Sequence, residues 1–102
     1  MTNLVRSKSF LLLLGGLFPL LSACAPNGAE LFHARGCINC HSFQGKGGSL
    51  GPDLTAVTER RDDAWIKRYI HDPRAVNPEA RMPAFPDLSS PERQAIVDFL
   101  KK

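Results

Sequence analysis

One pentapeptide constrains this chain more than any other: Cys37-Ile38-Asn39-Cys40-His41. It is a C-x-x-C-H run, the attachment pattern of a c-type haem. Two thiols three residues apart on one helical turn can each add across a vinyl group of one porphyrin. The histidine that follows is then placed to bind the iron from one face. The pattern predicts a single covalently bound haem c, attached through Cys37 and Cys40, with His41 as an iron ligand.

Two other kinds of site use paired cysteines, and both are weaker interpretations here. A zinc site normally needs a second pair of ligands at metal-binding spacing, and His33 and His71 do not supply one. A thioredoxin-like redox site expects a βαβ setting, and no strand-like alternation surrounds the motif. The haem interpretation therefore leads.

The first 23 residues are predicted to be an export signal and not part of the fold. Arg6 and Lys8 give a positive start, and residues 10–21 form an apolar run of twelve. That run is too short for an ordinary membrane-spanning helix, which needs about 20 apolar residues. Positive charge, a short apolar core and then small residues are the order of a secretory signal. We expect an exported protein.

The signal ends in a sequence, Leu21-Ser22-Ala23-Cys24, that resembles the lipobox of bacterial lipoproteins. The resemblance implies cleavage before Cys24 and a lipid on its thiol. Residues 1–23 would then be a lipoprotein signal peptide, 24–28 a lipidated N-terminus and tether, and 29–102 the haem-binding domain. This anchor would hold the protein on a membrane, on its periplasmic or cell-surface side.

Two alternatives for Cys24 stay open. An ordinary signal-peptide cut after Ala25 has the A-x-A form, although Pro26 would then follow the cleaved bond. Cys24 could also remain as a free thiol or form an intermolecular disulfide, since three cysteines cannot all pair.

Size and charge narrow the function further. Without residues 1–23, 11 basic residues face 10 acidic ones, and no basic stripe is visible. Nucleic acid is therefore not an expected partner. The remaining 79 residues make one domain, and a chain this small usually needs a disulfide, metal or cofactor to stabilise it. A covalently held haem would provide that centre.

Local signals predict a chain of helices and fixed loops. Asn27 can cap a first helix, with Glu30 in capping-box position, and this helix should end in the cysteine motif. The glycine- and proline-rich stretch 44–53 excludes regular structure. A second helix should begin near Asp62 or Asp63 and end at Pro73.

The C-terminal third follows the same logic. Four prolines between residues 72 and 87 predict a stiff loop without helix or strand interior. A last helix should begin at Ser89 or Ser90, with Glu92 completing a capping box. Its buried stripe is predicted to contain Ile96, Phe99 and Leu100.

The second axial position of the iron is predicted to belong to Met82, the only methionine between residues 24 and 102. A thioether prefers ferrous iron, so His/Met ligation raises the reduction potential. Methionine can also simply fill a core gap, but such a residue would more often lie on a helix face than in a proline-rich loop. His33 is expected to be an exposed residue on the same helix as His41, unable to reach the opposite face of the haem. His71 could in principle reach iron, but a cation at a helix C-terminus is the commoner arrangement.

These motifs together resemble the small class I monohaem cytochromes c. The residues that carry the resemblance are Leu31-Phe32, Gly36 with the C-x-x-C-H run, Gly51-Pro52-x-Leu54, Trp65, Tyr69-Ile70-x-Asp72-Pro73 and Arg81-Met82-Pro83-Ala84-Phe85. The resemblance implies an all-α fold with three main helices around the haem, the first and last crossing near Gly36. It also implies that the Pro52 carbonyl accepts a hydrogen bond from His41.

The resemblance also implies which side chains approach the porphyrin. Leu54 and Phe85 are expected near the ring, and Trp65, Tyr69 and Arg81 are weaker candidates for contacts with the haem propionates. Trp65 and Tyr69 could equally be ordinary core residues.

The expected function is one-electron transfer by a membrane-tethered monomer that is not an enzyme. Redox partner proteins would contact an exposed haem edge. Two alternatives stay open: a gas sensor or peroxidase-like enzyme with an open iron position, and the haem module of a larger oxidase or dehydrogenase complex.

Overall fold

The structure is a computed structural model that describes residues 25–102. The predicted signal peptide (1–23) and the predicted lipidation site, Cys24, lie outside the described residues. Within the described part of the chain, no helix is both long enough and apolar enough to cross a membrane.

The fold is all-α, as predicted, with three longer helices and three single-turn helices in the described part of the chain. The elements are α1 (Gly28–Ala34), α2 (Cys37–Cys40), β1 (Ser42–Phe43), β2 (Lys46–Gly47), α3 (Val57–Arg60), α4 (Asp63–His71), α5 (Pro73–Val76) and α6 (Ser90–Leu100). Strands β1 and β2 form a minimal antiparallel pair, in which Ser42 faces Gly47 and Phe43 faces Lys46. The three longer helices, α1, α4 and α6, are the three main helices expected.

Side-chain caps fix where the longer helices begin. The Asn27 side chain accepts a hydrogen bond from the Glu30 amide at the start of α1 (3.1 Å), and Asp62 accepts one from the Trp65 amide before α4 (2.8 Å). At α6, the Ser89 side chain and the Glu92 side chain each bond the other residue's backbone amide. These caps satisfy amides that would otherwise lack partners, and they confirm the predicted starts of α4 and α6.

The crossing of the first and last helices differs from the expectation. Helix α1 packs against α6 at Gly28. The approach is so close that a β-carbon added there would overlap the Ala95 carbonyl and touch the Phe99 side chain. At Gly36 a β-carbon would meet only the Asn39 side-chain amide. Gly36 instead has a φ of 80°, the left-handed region that glycine adopts without strain.

That backbone turn also corrects the extent of the first helix. Helix α1 ends at Ala34, and the cysteine motif forms a separate turn, α2, redirected by Gly36.

Two further corrections concern the predicted loops. Strand β2 lies inside 44–53, and α5 lies inside 72–87, where Pro73 takes the first helical turn and its missing amide costs nothing.

The core lies between α1, α4 and α6. Aromatic rings fill one side of it, with the centroid of Phe99 lying 5.4 Å from that of Phe32 and 5.0 Å from that of Phe43. Of the predicted α6 stripe, Ile96 and Leu100 are buried, whereas Phe99 is half-buried. The most buried residue of α6 is Val97. This core holds α1 and the following α2 turn in a fixed position.

Candidate haem site

The α2 turn presents both cysteines from one face. Backbone hydrogen bonds from Asn39 to Gly36 (3.0 Å) and from His41 to Cys37 (2.9 Å) close the turn, and side chains three residues apart on a helix are neighbours. Both thiols are half-buried and neither is in a disulfide among the described residues. Burial raises the pKa of the Cys37 thiol above its usual range.

The imidazole of His41 is held in one orientation by the chain that follows it. Its Nδ1–H donates to the Pro52 carbonyl oxygen at 2.8 Å, because a carbonyl can only accept. This is the hydrogen bond that the resemblance implies. It leaves Nε2 as the lone-pair nitrogen, free to bind a metal.

Gly51 lets the backbone lie directly against this ring. A β-carbon at Gly51 would stand 2.6 Å from His41 Cε1 and 2.7 Å from Nδ1. The Gly51 amide also donates to the Cys40 carbonyl at 2.7 Å. A larger residue could not occupy this position without moving either the ring or the loop.

The rest of the loop is joined to the same region by backbone bonds. The Gly48 amide donates to Ile38 (2.9 Å), and the Leu54 amide donates to Ser42 (2.8 Å). Asp53 accepts from the Thr55 amide at 3.0 Å, and this bond holds the pKa of Asp53 below its usual range. Leu54 is thereby positioned against the core, half-buried.

Met82 lies on a segment that is fixed at both ends. Ala80 (6% exposed) and Leu88 (2% exposed) are buried on either side of it, and the Phe85 amide donates to the Ile70 carbonyl of α4 at 3.0 Å. Met82 itself is half-buried and packs against the core, as does Phe85. The segment therefore holds a thioether in a defined place.

A sequence model described as "Cytochrome c" matches residues 25–102. The chain belongs to the cytochrome c family. Members of this family carry covalently bound haem c and use it for electron transfer. Both predictions, of the family and of the cofactor, are therefore confirmed.

Several curated proteins are similar to this cytochrome c. It is 31% identical over 85 residues to cytochrome c oxidase subunit 2 of Alkalihalophilus pseudofirmus, and the match covers 76% of this chain and 25% of that protein. It is 30% identical over 86 residues to a nitric oxide reductase subunit of Halomonas halodenitrificans, with 72% and 55% covered. The equivalent protein of Paracoccus denitrificans is 29% identical over 89 residues, with 78% and 59% covered. The chain thus spans between a quarter and three fifths of the length of these relatives.

The donors in this cytochrome c fit haem c. Two thiols share one turn, an oriented imidazole has a free Nε2, and a soft thioether lies on a fixed segment. Within residues 25–102, no three His, Cys, Asp or Glu side chains are grouped to hold a bare metal ion. The chemistry of the donor set is that of a porphyrin iron and its attachment.

The weaker propionate candidates fall into two groups. Trp65 and Tyr69 stack on one another along α4, with ring centroids 5.0 Å apart, and the Arg61 guanidinium lies 4.3 Å from the Trp65 ring centroid. Arg81 is exposed beside Met82. The contact of Arg61 with Trp65 was not predicted from the sequence. The spacing of four residues between them could have indicated it, because side chains four apart on a helix are neighbours.

The two remaining histidines are engaged elsewhere. His33 is exposed, and its Nδ1–H donates to the Ala29 carbonyl of its own helix at 2.8 Å. At His71, Nδ1 lies 2.9 Å from Arg93 Nη1. Because arginine can only donate, that nitrogen must be an acceptor. The His71 ring, at the end of α4, is therefore held by Arg93 of α6.

Proposed function

We propose that this chain is a membrane-tethered one-electron carrier whose haem is attached through Cys37 and Cys40. His41 Nε2 and the Met82 sulfur would be the two axial ligands, and a lipid on Cys24 would be the tether. In this proposal residues 1–23 are removed, 24–28 form the tether and 29–102 form the cytochrome c domain.

The hydrogen bond between His41 and Pro52 carries the proposal. It holds the ring in one orientation and selects the tautomer whose unprotonated nitrogen is Nε2, which a permanent axial ligand requires. Met82 supports it, because its segment is buried at Ala80 and Leu88 and cannot drift far from the core. Two permanent ligands would leave no open position for a substrate.

In this mechanism the chain's own residues bind the iron and exclude water from the haem. Haem c supplies a one-electron couple, with iron alternating between ferrous and ferric. The imidazole and the thioether are both neutral donors, and they would hold the haem iron without needing to rearrange when it gains or loses an electron. Leu54 and Phe85, half-buried against the core, would exclude water from the porphyrin. Low water access and a thioether ligand both favour a high reduction potential.

Replacing Met82 tests the ligand set. Met82→Leu keeps the volume of the side chain and removes the sulfur, whereas Met82→Ala removes both. We expect each variant to lose the weak long-wavelength band of methionine sulfur on ferric iron and to bind carbon monoxide rapidly when ferrous. The wild type should show the band and bind carbon monoxide slowly. A Met82→Leu protein that kept the band would contradict the assignment.

Mass spectrometry of the mature protein tests the tether and the attachment together. We expect a polypeptide starting at Cys24 that carries acyl chains and one haem, and a Cys24→Ala variant that is released from membranes. A mass corresponding to cleavage after Ala25, or to an unmodified Cys24, would contradict the tether. Haem extracted by acidified organic solvent would contradict covalent attachment.

A redox partner is expected to bind near the α2 turn. Leu50 is 89% exposed, the one large apolar side chain so exposed among the described residues, and it precedes Gly51, which bonds Cys40. Small, transient interfaces are usual for redox encounters. A Leu50→Ser variant is expected to exchange electrons more slowly with its partner, with an unchanged optical spectrum.

A second candidate is that the chain acts as the electron-entry module of a larger complex. The observation in its favour is that the similar proteins are named as subunits of an oxidase and of nitric oxide reductases. Purification from membranes in mild detergent separates the two: a stoichiometric partner favours the module, and a lone protein favours the carrier. Rapid carbon monoxide binding by the wild type would instead favour a gas sensor or peroxidase-like enzyme.

A further inference from the structure

Arg35 and Asp87 join two distant parts of the chain. The Nη2 atom of Arg35 lies 2.9 Å from one carboxylate oxygen of Asp87 and 2.8 Å from the other. The two residues are 52 positions apart in sequence. The arginine side chain is 31% exposed and the aspartate side chain 66% exposed, so the ion pair lies at the surface.

The same guanidinium also covers an aromatic ring. The Arg35 Cζ atom lies 5.3 Å from the centroid of Phe85, within the range of a cation–π contact. Arg35 therefore contacts two residues of one segment, three and five positions after Met82. The fork of an arginine can serve both contacts at once, whereas a lysine cannot.

The position of Arg35 makes this contact relevant to the haem. Its backbone amide caps α1 by donating to the Leu31 carbonyl at 2.9 Å, and it stands two residues before Cys37. One end of the contact is therefore rigidly attached to the turn that carries both thiols. The other end is the segment that carries Met82.

We propose that Arg35 is a positioning residue for Met82: by holding Asp87 and Phe85 it keeps the methionine segment closed over the haem. The inference rests on the proposed function, in which Met82 is an axial ligand. In this arrangement Met82 leaves the iron only when the Arg35 contacts to Asp87 and Phe85 are broken or stretched. Arg35 then sets, in part, the fraction of molecules in which Met82 is away from the iron, here called the open form.

Carbon monoxide binding to the ferrous protein measures that population. Carbon monoxide can bind only when Met82 is away, so its apparent affinity and binding rate scale with the open fraction. Arg35→Gln loses a surface ion pair and a cation–π contact, so we expect its carbon monoxide affinity and binding rate to rise about threefold to tenfold. Arg35→Lys keeps a positive charge near Asp87, and Asp87→Asn keeps the contact between Arg35 and Phe85. We therefore expect each to raise carbon monoxide affinity and binding rate by less.

Lys101→Gln is the matched control. It removes the surface ion pair of Lys101 with Asp63 (2.8 Å), which joins the end of α6 to α4, and a longer one with Asp98 (3.6 Å), and neither involves the Met82 segment. We expect it to lower the free energy of unfolding as much as Asp87→Asn does, with no change in carbon monoxide binding. A control that raised binding equally would overturn the positioning role.

The wild type separates this inference from the proposed function. If ferric wild type lacks the methionine–iron band, both are overturned. If the band is present and Arg35→Gln binds carbon monoxide at the wild-type rate, only the positioning role is overturned. Should Arg35→Gln not accumulate, Asp87→Asn carries the same test, because it leaves Arg35 in place and removes the ion pair.

Discussion

Gly28 of α1 lies against the backbone of Ala95 in α6, so closely that a β-carbon at Gly28 would overlap the Ala95 carbonyl oxygen. The absence of a side chain at this one position lets the two helix backbones approach. The rings of Phe32 and Phe99 can then meet, 5.4 Å apart, beside the crossing.

Gly28→Ala is expected to push these helices apart. The obstacle is backbone and cannot rotate away, so the cost should be that of an overpacked core, about 1–3 kcal/mol. Urea unfolding of the haem-loaded protein measures it. Ala34→Ser, an exposed change on the same helix, should stay within about 0.5 kcal/mol of wild type. Equal stability of Gly28→Ala and wild type would show that the crossing relaxes freely.

Gly51→Ala is expected to disturb the His41 ring. The new β-carbon would stand 2.6 Å from Cε1, so the imidazole must tilt and its hydrogen bond to Pro52 must lengthen. Iron competes less well with protons for the lone pair of a misaligned imidazole. The native low-spin spectrum should therefore be lost at a higher pH than in wild type during acid titration.

Gly45→Ala is the comparison for that experiment. Gly45 has a φ of 82° and nothing within 4 Å of an added β-carbon, so alanine there strains the backbone without approaching the ring. It should lower the free energy of unfolding, by about 1 kcal/mol, without moving the acid transition of the iron ligands. If Gly45→Ala shifted that transition as far as Gly51→Ala, contact with the ring would not be the cause.

Acid should weaken the junction between α4 and α6 through Asp63. Hydrogen bonds from Lys101 and then Gln94 hold the pKa of Asp63 below its usual range. A carboxyl with a depressed folded-state pKa stabilises the protein above its unfolded-state pKa, about 3.9. That contribution is lost as the pH falls through the lower folded-state value. Stability should therefore decline below about pH 4.

The difference between two variants isolates this effect. Asp63→Asn should be less stable than wild type near neutral pH and should lose less stability on going from about pH 5 to pH 3. Asp72→Asn removes a carboxylate that makes no capping hydrogen bond and serves as the matched aspartate-to-asparagine control. If Asp63→Asn and wild type lost stability equally as the pH fell, Asp63 would not be the source of the acid dependence. Urea midpoints at each pH supply the measurement.

Local chemistry in the sequence was sufficient to predict the helix starts. Asn27 and Ser89 each accept the capping hydrogen bond expected of them, and Asp62, expected only to lie near the start of the second helix, accepts one as well. The attachment motif and the family followed from rare residues at fixed offsets. Such signals depend on neighbours three or four positions away, which a sequence displays directly.

Contacts between distant residues were harder to predict. The crossing at Gly28 depends on Ala95, and nothing near either residue in sequence shows that they meet. The contact of Arg35 with Asp87 and Phe85, and the hydrogen bond from Arg93 to His71, were missed for the same reason. The short helices α3 and α5 escaped notice because one turn carries too few residues for a periodic pattern.

The pairing of α1 with α6 has a consequence for how the domain acquires its structure. The two partners lie at opposite ends of residues 28–100, so Phe32 has Phe43 beside it but lacks Phe99 until the last helix exists. Closing so long a loop is entropically costly and slows folding. A chain interrupted before Ser90 would keep its first helix exposed and without a stable core. The stabilisation that comes from packing α1 against α6 is therefore gained only with the final eleven-residue helix.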